Sequence, residues 1–259
     1  MLAKPIARSE LSNLKDPRLF REHAYIGGKW TAARDGKVIP VTNPAMEAQL
    51  GVVPALGAAE TEAAIEAAAA AFPTWRKLLP QQRAAYLRRW YELMIEARDD
   101  LALIMTLEQG KPLAEAEGEI AYAASFIEWF AEEARRVNVE GITPHLPGRQ
   151  MSVRREPVGV TGAVTPWNFP SAMITRKAAA ALASGCPMVV RPASETPYSA
   201  LALAELADRA GIPAGVFSVV TGPSGPTSAR CSRARPCARS PSPARPRSAA
   251  SCSRAVPRP

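Results

Sequence analysis

The most constraining feature of the sequence is an alternation of short apolar segments and helical segments between residues 158 and 220. The apolar segments have the length of strands, and about a dozen residues with one apolar face separate each pair of them. Parallel strands need a crossover of that length. The sequence therefore predicts a β-α-β-α-β unit in an α/β fold, which is half of a doubly wound, Rossmann-like parallel sheet. The predicted segments are 158–165, 172–183, 188–190, 199–210 and 216–220.

Four further helices are predicted before this unit, because apolar residues recur there at helical spacing. Gly110 and Pro112 separate the last two, since glycine commonly follows a helix and proline commonly opens one. The last helix has two apolar stripes, and the second contains Tyr122, Phe126 and Trp129. We therefore expect it to be buried on two sides. The four predicted helices are 58–72, 81–98, 101–109 and 113–137.

Two irregular segments, 165–170 and 191–197, directly follow the first two predicted strands of the unit. Ligands of such sheets bind just beyond the carboxyl ends of the strands. Neither segment contains the GxGxxG pattern that surrounds a pyrophosphate with glycine backbone. A dinucleotide, if bound, is therefore expected to bind by another arrangement.

The net charge of +8 comes from one part of the chain. Eight of the 32 basic residues are arginines in 226–259, which has no acidic residue, so residues 1–225 carry 24 basic and 24 acidic side chains. This balance predicts neither a nucleic-acid nor a membrane partner for them. Cys186 is their only cysteine, which suits a reducing compartment, and two distant histidines, His23 and His145, give no support for a metal site. No long apolar segment occurs, so a cytoplasmic protein is expected.

Several motifs resemble those of the aldehyde dehydrogenase superfamily. The signature strings are PWNFP at 166–170, RPA at 191–193 and TP at 196–197. Three longer strings narrow the resemblance to succinate-semialdehyde dehydrogenases over roughly residues 20–222: LEQGKPL at 107–113, AASFIEWFAEE at 123–133 and MITRK at 173–177. The resemblance implies NAD(P)-dependent oxidation of a semialdehyde to an acid, in which a cysteine thiolate attacks the aldehyde and a hydride passes to the nicotinamide.

The resemblance also implies a division into domains. Residues 1–143 and 157–225 would form an incomplete cofactor-binding domain, and 144–156 an oligomerisation hairpin, so the intact protein would be a homo-oligomer. The catalytic domain, with its cysteine nucleophile and glutamate base, would be absent. We therefore expect this chain to be inactive. The alternative to an enzyme is a non-catalytic dinucleotide-binding fragment.

The first motif would serve both catalysis and cofactor binding. By resemblance, Asn168 donates its side-chain amide to the oxyanion that forms on thiolate attack, because a fixed neutral donor stabilises that charge without titrating. The alternative is that Asn168 caps the helix that follows it. The implied cofactor-binding residues are Thr165, Pro166, Trp167, Asn168, Arg191, Pro192, Ala193 and Ser194.

Three positions bear on the cofactor and the substrate. Arg191 stands where the resembling family usually has a lysine near the adenosine ribose, and its planar guanidinium suits a phosphate; the alternative is an exposed arginine at a strand end. Ser194 stands where many NAD-preferring relatives have a glutamate, so NADP is the expected cofactor, with NAD possible. Arg176 would pair with the far carboxylate of succinate semialdehyde; the alternative is a solvated arginine on a helix face.

Two other features are expected to be structural. Cys186 lies outside any nucleophile motif of the family, so a small buried thiol is predicted. The carboxylates of residues 115–119 are predicted to lie on a solvated helix face.

The composition of residues 226–259 suggests a change of reading frame. Apart from Thr227 and Val256, this segment contains only Arg, Pro, Ser, Ala and Cys. Read one base out of frame, its codons around 242–250 are compatible with FTGSTEVGR, which contains the turn that the resemblance places after residue 222. A disordered, non-native tail is therefore predicted, and the strand ending near residue 220 would be an uncovered sheet edge. The alternative is an arginine-rich tail that binds nucleic acid or an acidic partner.

Overall fold

The computed structural model describes residues 10–223, 225 and 235–236. The strands in this part of the chain are β1 (Ala24–Ile26), β2 (Lys29–Thr31), β3 (Val38–Asn43), β4 (Ala48–Pro54), β5 (Glu140–Ile142), β6 (Met151–Val153), β7 (Thr161–Val164), β8 (Met188–Arg191), β9 (Phe217–Val219) and β10 (Arg235–Pro236). The α-helices are α1 (Ala58–Trp75), α2 (Pro80–Glu96), α3 (Arg98–Gln109), α4 (Leu113–Glu133), α5 (Pro170–Ala183) and α6 (Pro197–Arg209). Short 3-10 helices span Leu11–Asn13, Pro17–Leu19 and Ala134–Arg136. Within the described ranges, none of the helices has the length and apolar character needed to cross a membrane.

The main sheet has the strand order β10-β7-β8-β9-β1-β2. Strands β7, β8 and β9 are parallel and in register, with Gly162 opposite Val189 and Val189 opposite Ser218. Helices α5 and α6 form the two crossovers between them. The predicted β-α-β-α-β unit and the α/β fold class are therefore confirmed.

The outer edge of β9 is covered, contrary to our expectation. Strand β1 pairs antiparallel with β9, with Tyr25 opposite Val219, and β2 pairs with β1 in turn. The outer edge of β9 is therefore paired, at Val219, with a hairpin that lies before α1 in the sequence. The expectation of a bare edge was wrong, because the β1–β2 hairpin pairs with β9. Its strands have three residues each, and the sequence analysis did not predict them.

The opposite edge of the sheet is formed by the two described residues of the tail. Arg235 lies opposite Thr161 and Pro236 opposite Gly162, in parallel orientation. An edge strand presents unpaired N–H and C=O groups, and any extended segment can bind them whatever its side chains. The disorder and the reading-frame change predicted for the other residues of 226–259 lie outside the described residues, as does the alternative of a tail that binds nucleic acid or an acidic partner.

The core lies between the sheet and the helices α2 to α6. Leu87, Trp90 and Met94 of α2 are fully buried, as their spacing predicts, and the Trp90 ring contacts Phe217 of β9 at a centroid distance of 5.3 Å. Helix α4 is buried on one side only. Tyr122 and Trp129 of its second stripe remain 48% and 62% exposed, so the expectation of burial on two sides was wrong for this chain.

Two hairpins lie outside the main sheet. Strands β3 and β4 pair antiparallel, as do β5 and β6. The β5–β6 hairpin starts at Glu140, ahead of the 144–156 range inferred from the resemblance, and all six of its strand residues are exposed. The domain division and the oligomerisation role of this hairpin stay predictions.

The N-terminal segment is attached to the helices by polar contacts. The Asp100 carboxylate accepts hydrogen bonds from the backbone N–H groups of Lys15 and Asp16, at 2.9 and 2.8 Å. Closer to the sheet, the Tyr25 hydroxyl donates to Asp208 at 2.6 Å. The first two bonds attach residues 15 and 16 to α3, and the third holds β1 beside α6.

Candidate active site

The loop that follows β7 places the first motif at the carboxyl end of the sheet. The Thr165 N–H donates to the Arg191 carbonyl at 3.1 Å, which ties this loop to the end of β8. Trp167, Asn168 and Phe169 are exposed. Pro166 is half-buried before them. The side chain of Asn168 is therefore accessible from solvent beside the end of the parallel strands.

Asn168 does not cap α5. The N-cap position of that helix is Phe169, whose side chain makes no capping hydrogen bond. The carboxylate of Glu119 takes this role, because it accepts from the N–H groups of Ser171 and Ala172 at 3.1 and 3.3 Å. The alternative that Asn168 caps the helix is thereby excluded.

Glu119 is one of the carboxylates that we predicted to be solvated, and that prediction was wrong for this residue. Its side chain is 1% exposed and pairs with Lys111, which is itself 9% exposed. Glu119 lies three residues after Ala116 and four before Ala123, and both alanines are fully buried. Helical spacing therefore puts it on the buried face of α4. Glu115 is exposed, as predicted.

The loop that follows β8 carries the second motif. Arg191 is 5% exposed, so the alternative of an exposed strand-end arginine was wrong. Its Nη2 donates to the Gly222 carbonyl at 2.8 Å and to the Ser194 hydroxyl at 3.0 Å. Pro192 and Ala193 are buried between these contacts. The guanidinium is thus fixed between the ends of β8 and β9.

A second buried glutamate occupies the N-terminus of α6. Both oxygens of the Glu108 carboxyl accept a backbone hydrogen bond at 2.7 Å, from the N–H groups of Tyr198 and Ser199. Complete burial raises the pKa of this carboxyl to about 8, although the two N–H donors act in the opposite direction.

The N-termini of both crossover helices are therefore filled by carboxyl groups of the chain itself. In nucleotide-binding sheets of the glycine-fingerprint type, such N–H groups receive the phosphates of the ligand. Here the Glu119 carboxylate accepts hydrogen bonds from the N–H groups of α5, and the Glu108 carboxyl accepts them from the N–H groups of α6. The backbone N–H groups of Ser171 and Ala172 in α5 and of Tyr198 and Ser199 in α6 are therefore already paired.

A cavity of about 390 Å³ lies between the two loops and strand β3. Trp167 and Ser194 both line it, so the structure brings the two motifs to one place. The Thr165 and Thr196 hydroxyls are buried without a hydrogen-bond partner among the described residues. Buried hydroxyls normally have partners, and these two, one directly after β7 and one at the start of α6, are suited to a polar ligand.

Arg176 lies elsewhere, on the second turn of α5. Its guanidinium is positioned over the Phe126 ring of α4 at 5.4 Å and is partly exposed. No carboxylate of the described residues forms an ion pair with the Arg176 guanidinium. The Arg88 guanidinium of α2, in contrast, pairs with Glu128 and Glu132 of α4.

Cys186 is buried between α5 and β8, with 3% exposure, as predicted for a structural thiol. In the described part of the chain, no group of three His, Cys, Asp or Glu side chains is arranged to hold a metal ion. Sequence reasoning missed Glu108, Lys111 and Glu119. The sequence contains a signal for each of them. Glu108 and Lys111 belong to the LEQGKPL string, and Glu119 lies at helical spacing from Ala116 and Ala123, which are buried.

Comparison with known proteins agrees with this geometry. Residues 30–235 match the aldehyde dehydrogenase family. The chain is 65% identical over 212 residues to the glutarate-semialdehyde dehydrogenase of Pseudomonas putida and 61% identical over 212 residues to the NADP(+) succinate-semialdehyde dehydrogenase GabD of Escherichia coli. In each case the match covers 82% of this chain and 44% of the relative. The chain thus spans less than half the length of these relatives.

Solved structures show the same relationship. A crystal structure of an NADP-dependent enzyme from E. coli superimposes with a TM-score of 0.84 at 59% identity, covering 85% of this chain and 46% of that one. The succinate-semialdehyde dehydrogenase from Burkholderia pseudomallei gives a TM-score of 0.83 at 56% identity, covering 84% and 45%. With the motif loops at the carboxyl ends of β7 and β8 and this similarity along most of its length, the chain belongs to the aldehyde dehydrogenase family.

Proposed function

We propose that the described residues bind NADP, and NAD less tightly, as the cofactor-binding part of a dehydrogenase for semialdehydes of dicarboxylic acids. The observation that carries this proposal is the position of Arg191, whose guanidinium is fixed by Gly222 and Ser194 at the ends of two parallel strands. A cofactor bound here would supply the nicotinamide that accepts a hydride.

The choice of NADP rests on the charges around Arg191. Its contact in the loop is the neutral Ser194 hydroxyl, at 3.0 Å. A 2′-phosphate would therefore meet a guanidinium, which binds phosphate through parallel N–H donors, and no carboxylate at position 194. The neighbouring Thr165 hydroxyl, buried and unpartnered within the described residues, fits a further polar contact of the cofactor.

The choice of substrate class rests on Arg176. Its guanidinium has a ring contact with Phe126 and no carboxylate partner among the described side chains, so it can form a charge-assisted pair with the distal carboxylate of a semialdehyde. The similar enzymes named for glutarate semialdehyde and succinate semialdehyde support the same class. Both compounds carry an aldehyde at one end and a carboxylate at the other.

The role we propose for Asn168 is donation of its side-chain amide to the oxyanion of the reacting aldehyde. This role is supported by its exposure at the end of β7 and by Glu119 having the capping role instead. We do not propose Cys186 as the nucleophile, because its thiol is buried between α5 and β8. Since it is the only cysteine among the described residues, we propose that these residues bind cofactor and do not by themselves oxidise aldehydes.

The test is a fluorescence titration of the chain with NADPH and with NADH. Wild type should bind both, with the lower dissociation constant for NADPH. Ser194→Glu should weaken NADPH binding more than NADH binding, because it adds a negative charge next to Arg191. Ser152→Glu on the exposed strand β6 is the matched control and should change neither. Absence of binding to either nucleotide, or a greater loss for NADH, would refute the proposal.

A further inference from the structure

Lys111 is a nearly buried cation at the base of the exposed loop that contains Asn168. It follows Gly110, which ends α3 in the left-handed conformation with φ of +83°. A Cβ at Gly110 would lie 2.8 Å from Cγ of Pro44, so only glycine permits this close approach. The sharp turn between α3 and α4 directs the Lys111 side chain towards the loop after β7.

The Lys111 ammonium has three contacts there. It pairs with the buried Glu119 carboxylate, donates to the Asn168 carbonyl at 3.5 Å, and lies 4.4 Å from the centre of the Phe169 ring. Contact of a cation with a carbonyl dipole and an aromatic face is attractive at each of these partners. One side chain thus joins the loop to the group that caps α5.

Two aromatic side chains of the same loop are largely exposed. Trp167 is 54% and Phe169 43% exposed, so hydrophobic packing contributes little to its position. Glu119 fixes the N–H groups of Ser171 and Ala172, and Lys111 fixes the carbonyl and the ring of the two residues before the helix.

We propose that Lys111 is a positioning residue for Asn168: paired with Glu119, it holds the main chain at residues 168–172 and so sets the direction of the Asn168 side-chain amide. What that amide does rests on the proposed function, whereas the anchoring itself does not. Lys111 acts through the backbone of Asn168 and through Glu119, and touches neither substrate nor cofactor in this role.

Hydrogen exchange of the full chain, followed by mass spectrometry, tests the anchoring without any catalysis. In Lys111→Met, the N–H groups of Ser171 and Ala172 should exchange at least tenfold faster, because Glu119 loses its partner cation and the loop loses its contact. Peptides from α6, whose cap is Glu108, should change by less than twofold. Lys111→Arg should restore most of the protection of α5. Lys37→Met is the matched control, since its exposed pair with Asp35 lies outside the loop, and it should change neither region.

Two outcomes would overturn the proposal: unchanged exchange of residues 165–175 in Lys111→Met, or equal acceleration in α5 and α6, which would indicate a general loss of stability. If Lys111→Met does not fold, Glu119→Gln replaces it, and the same two results decide. The Ser171 and Ala172 N–H groups both donate to Oε1 of Glu119, which the amide oxygen can replace, while the ion pair of Lys111 with Oε2 is lost. A parallel NADPH titration separates this question from the proposed function. Failure of wild type to bind NADPH would leave the exchange result intact.

Discussion

Glu108 offers a sharp test of how burial and helix capping compete for one carboxyl group. The side chain is fully buried at the N-terminus of α6, where two N–H groups at 2.7 Å favour the charged form and burial favours the neutral form. Burial prevails and raises the pKa to about 8. In the unfolded chain the same carboxyl titrates near its ordinary value of 4.5.

The sign of the pH effect follows from proton binding. Between about pH 5 and 8 the folded chain retains a proton on Glu108 that the unfolded chain has released, so its contribution to stability decreases as the pH rises. The slope approaches about 1.4 kcal/mol per pH unit for one proton, which amounts to on the order of 4 kcal/mol over this window. Glu108→Gln is neutral at every pH and removes this dependence.

The assay is urea unfolding of wild type and variant at pH 5, 6, 7 and 8. The free energy of unfolding of Glu108→Gln should rise relative to wild type at each step, by roughly 1 kcal/mol per pH unit. Glu66→Gln, at an exposed position on α1, is the control and should run parallel to wild type. A constant difference between Glu108→Gln and wild type at all four pH values would refute the reasoning, because it would show that the N–H donors keep Glu108 charged.

Two further predictions concern the substrate and self-association. In a chimera that joins residues 1–222 to the remaining part of the similar E. coli GabD enzyme, Arg176→Ala should raise KM for succinate and glutarate semialdehydes about 10- to 100-fold. An uncharged aldehyde should be nearly unaffected, because a charge-assisted bond contributes about 1.5 to 3 kcal/mol. Steady-state kinetics on both substrate types decides this, and an equal loss on both would contradict the role of Arg176. Val153→Lys, at an exposed position of β6, should reduce self-association in sedimentation experiments, since a charge opposes apolar contact. An unchanged sedimentation profile would exclude the β5–β6 hairpin as the contact.

The central part of the fold was predictable because its signals are local. Each strand of the parallel unit is a short apolar run, and each crossover helix shows an apolar stripe within its own dozen residues. Strands β1 and β2 give no such signal. They have three residues each, too few to show alternation, and β1 pairs with a strand at the other end of the chain. Only the tertiary contact identifies them as strands.

The positions of the two motif loops were predictable to a similar extent. The motif strings indicate which loops carry Asn168 and Arg191. Both loops lie at the carboxyl ends of parallel strands, as the sequence predicts. Burial was harder to predict. Arg191 was expected near solvent or cofactor, yet it is buried. Its buried guanidinium donates a hydrogen bond to the Gly222 carbonyl, 31 residues further along the chain. Glu119 was expected on the surface, yet it caps a helix 52 residues away. Long-range partners of polar side chains leave no local pattern.

The pairing of β1 with β9 determines the order in which this protein can fold. During synthesis, Tyr25 emerges nearly two hundred residues before Val219, its partner in the sheet. Closing so long a loop costs entropy before any contact compensates for it, and such topologies fold slowly. Until that moment the β1–β2 hairpin has an unsatisfied edge, and an isolated hairpin is marginally stable in water. The first strands to leave the ribosome are therefore among the last to reach their final position in the sheet.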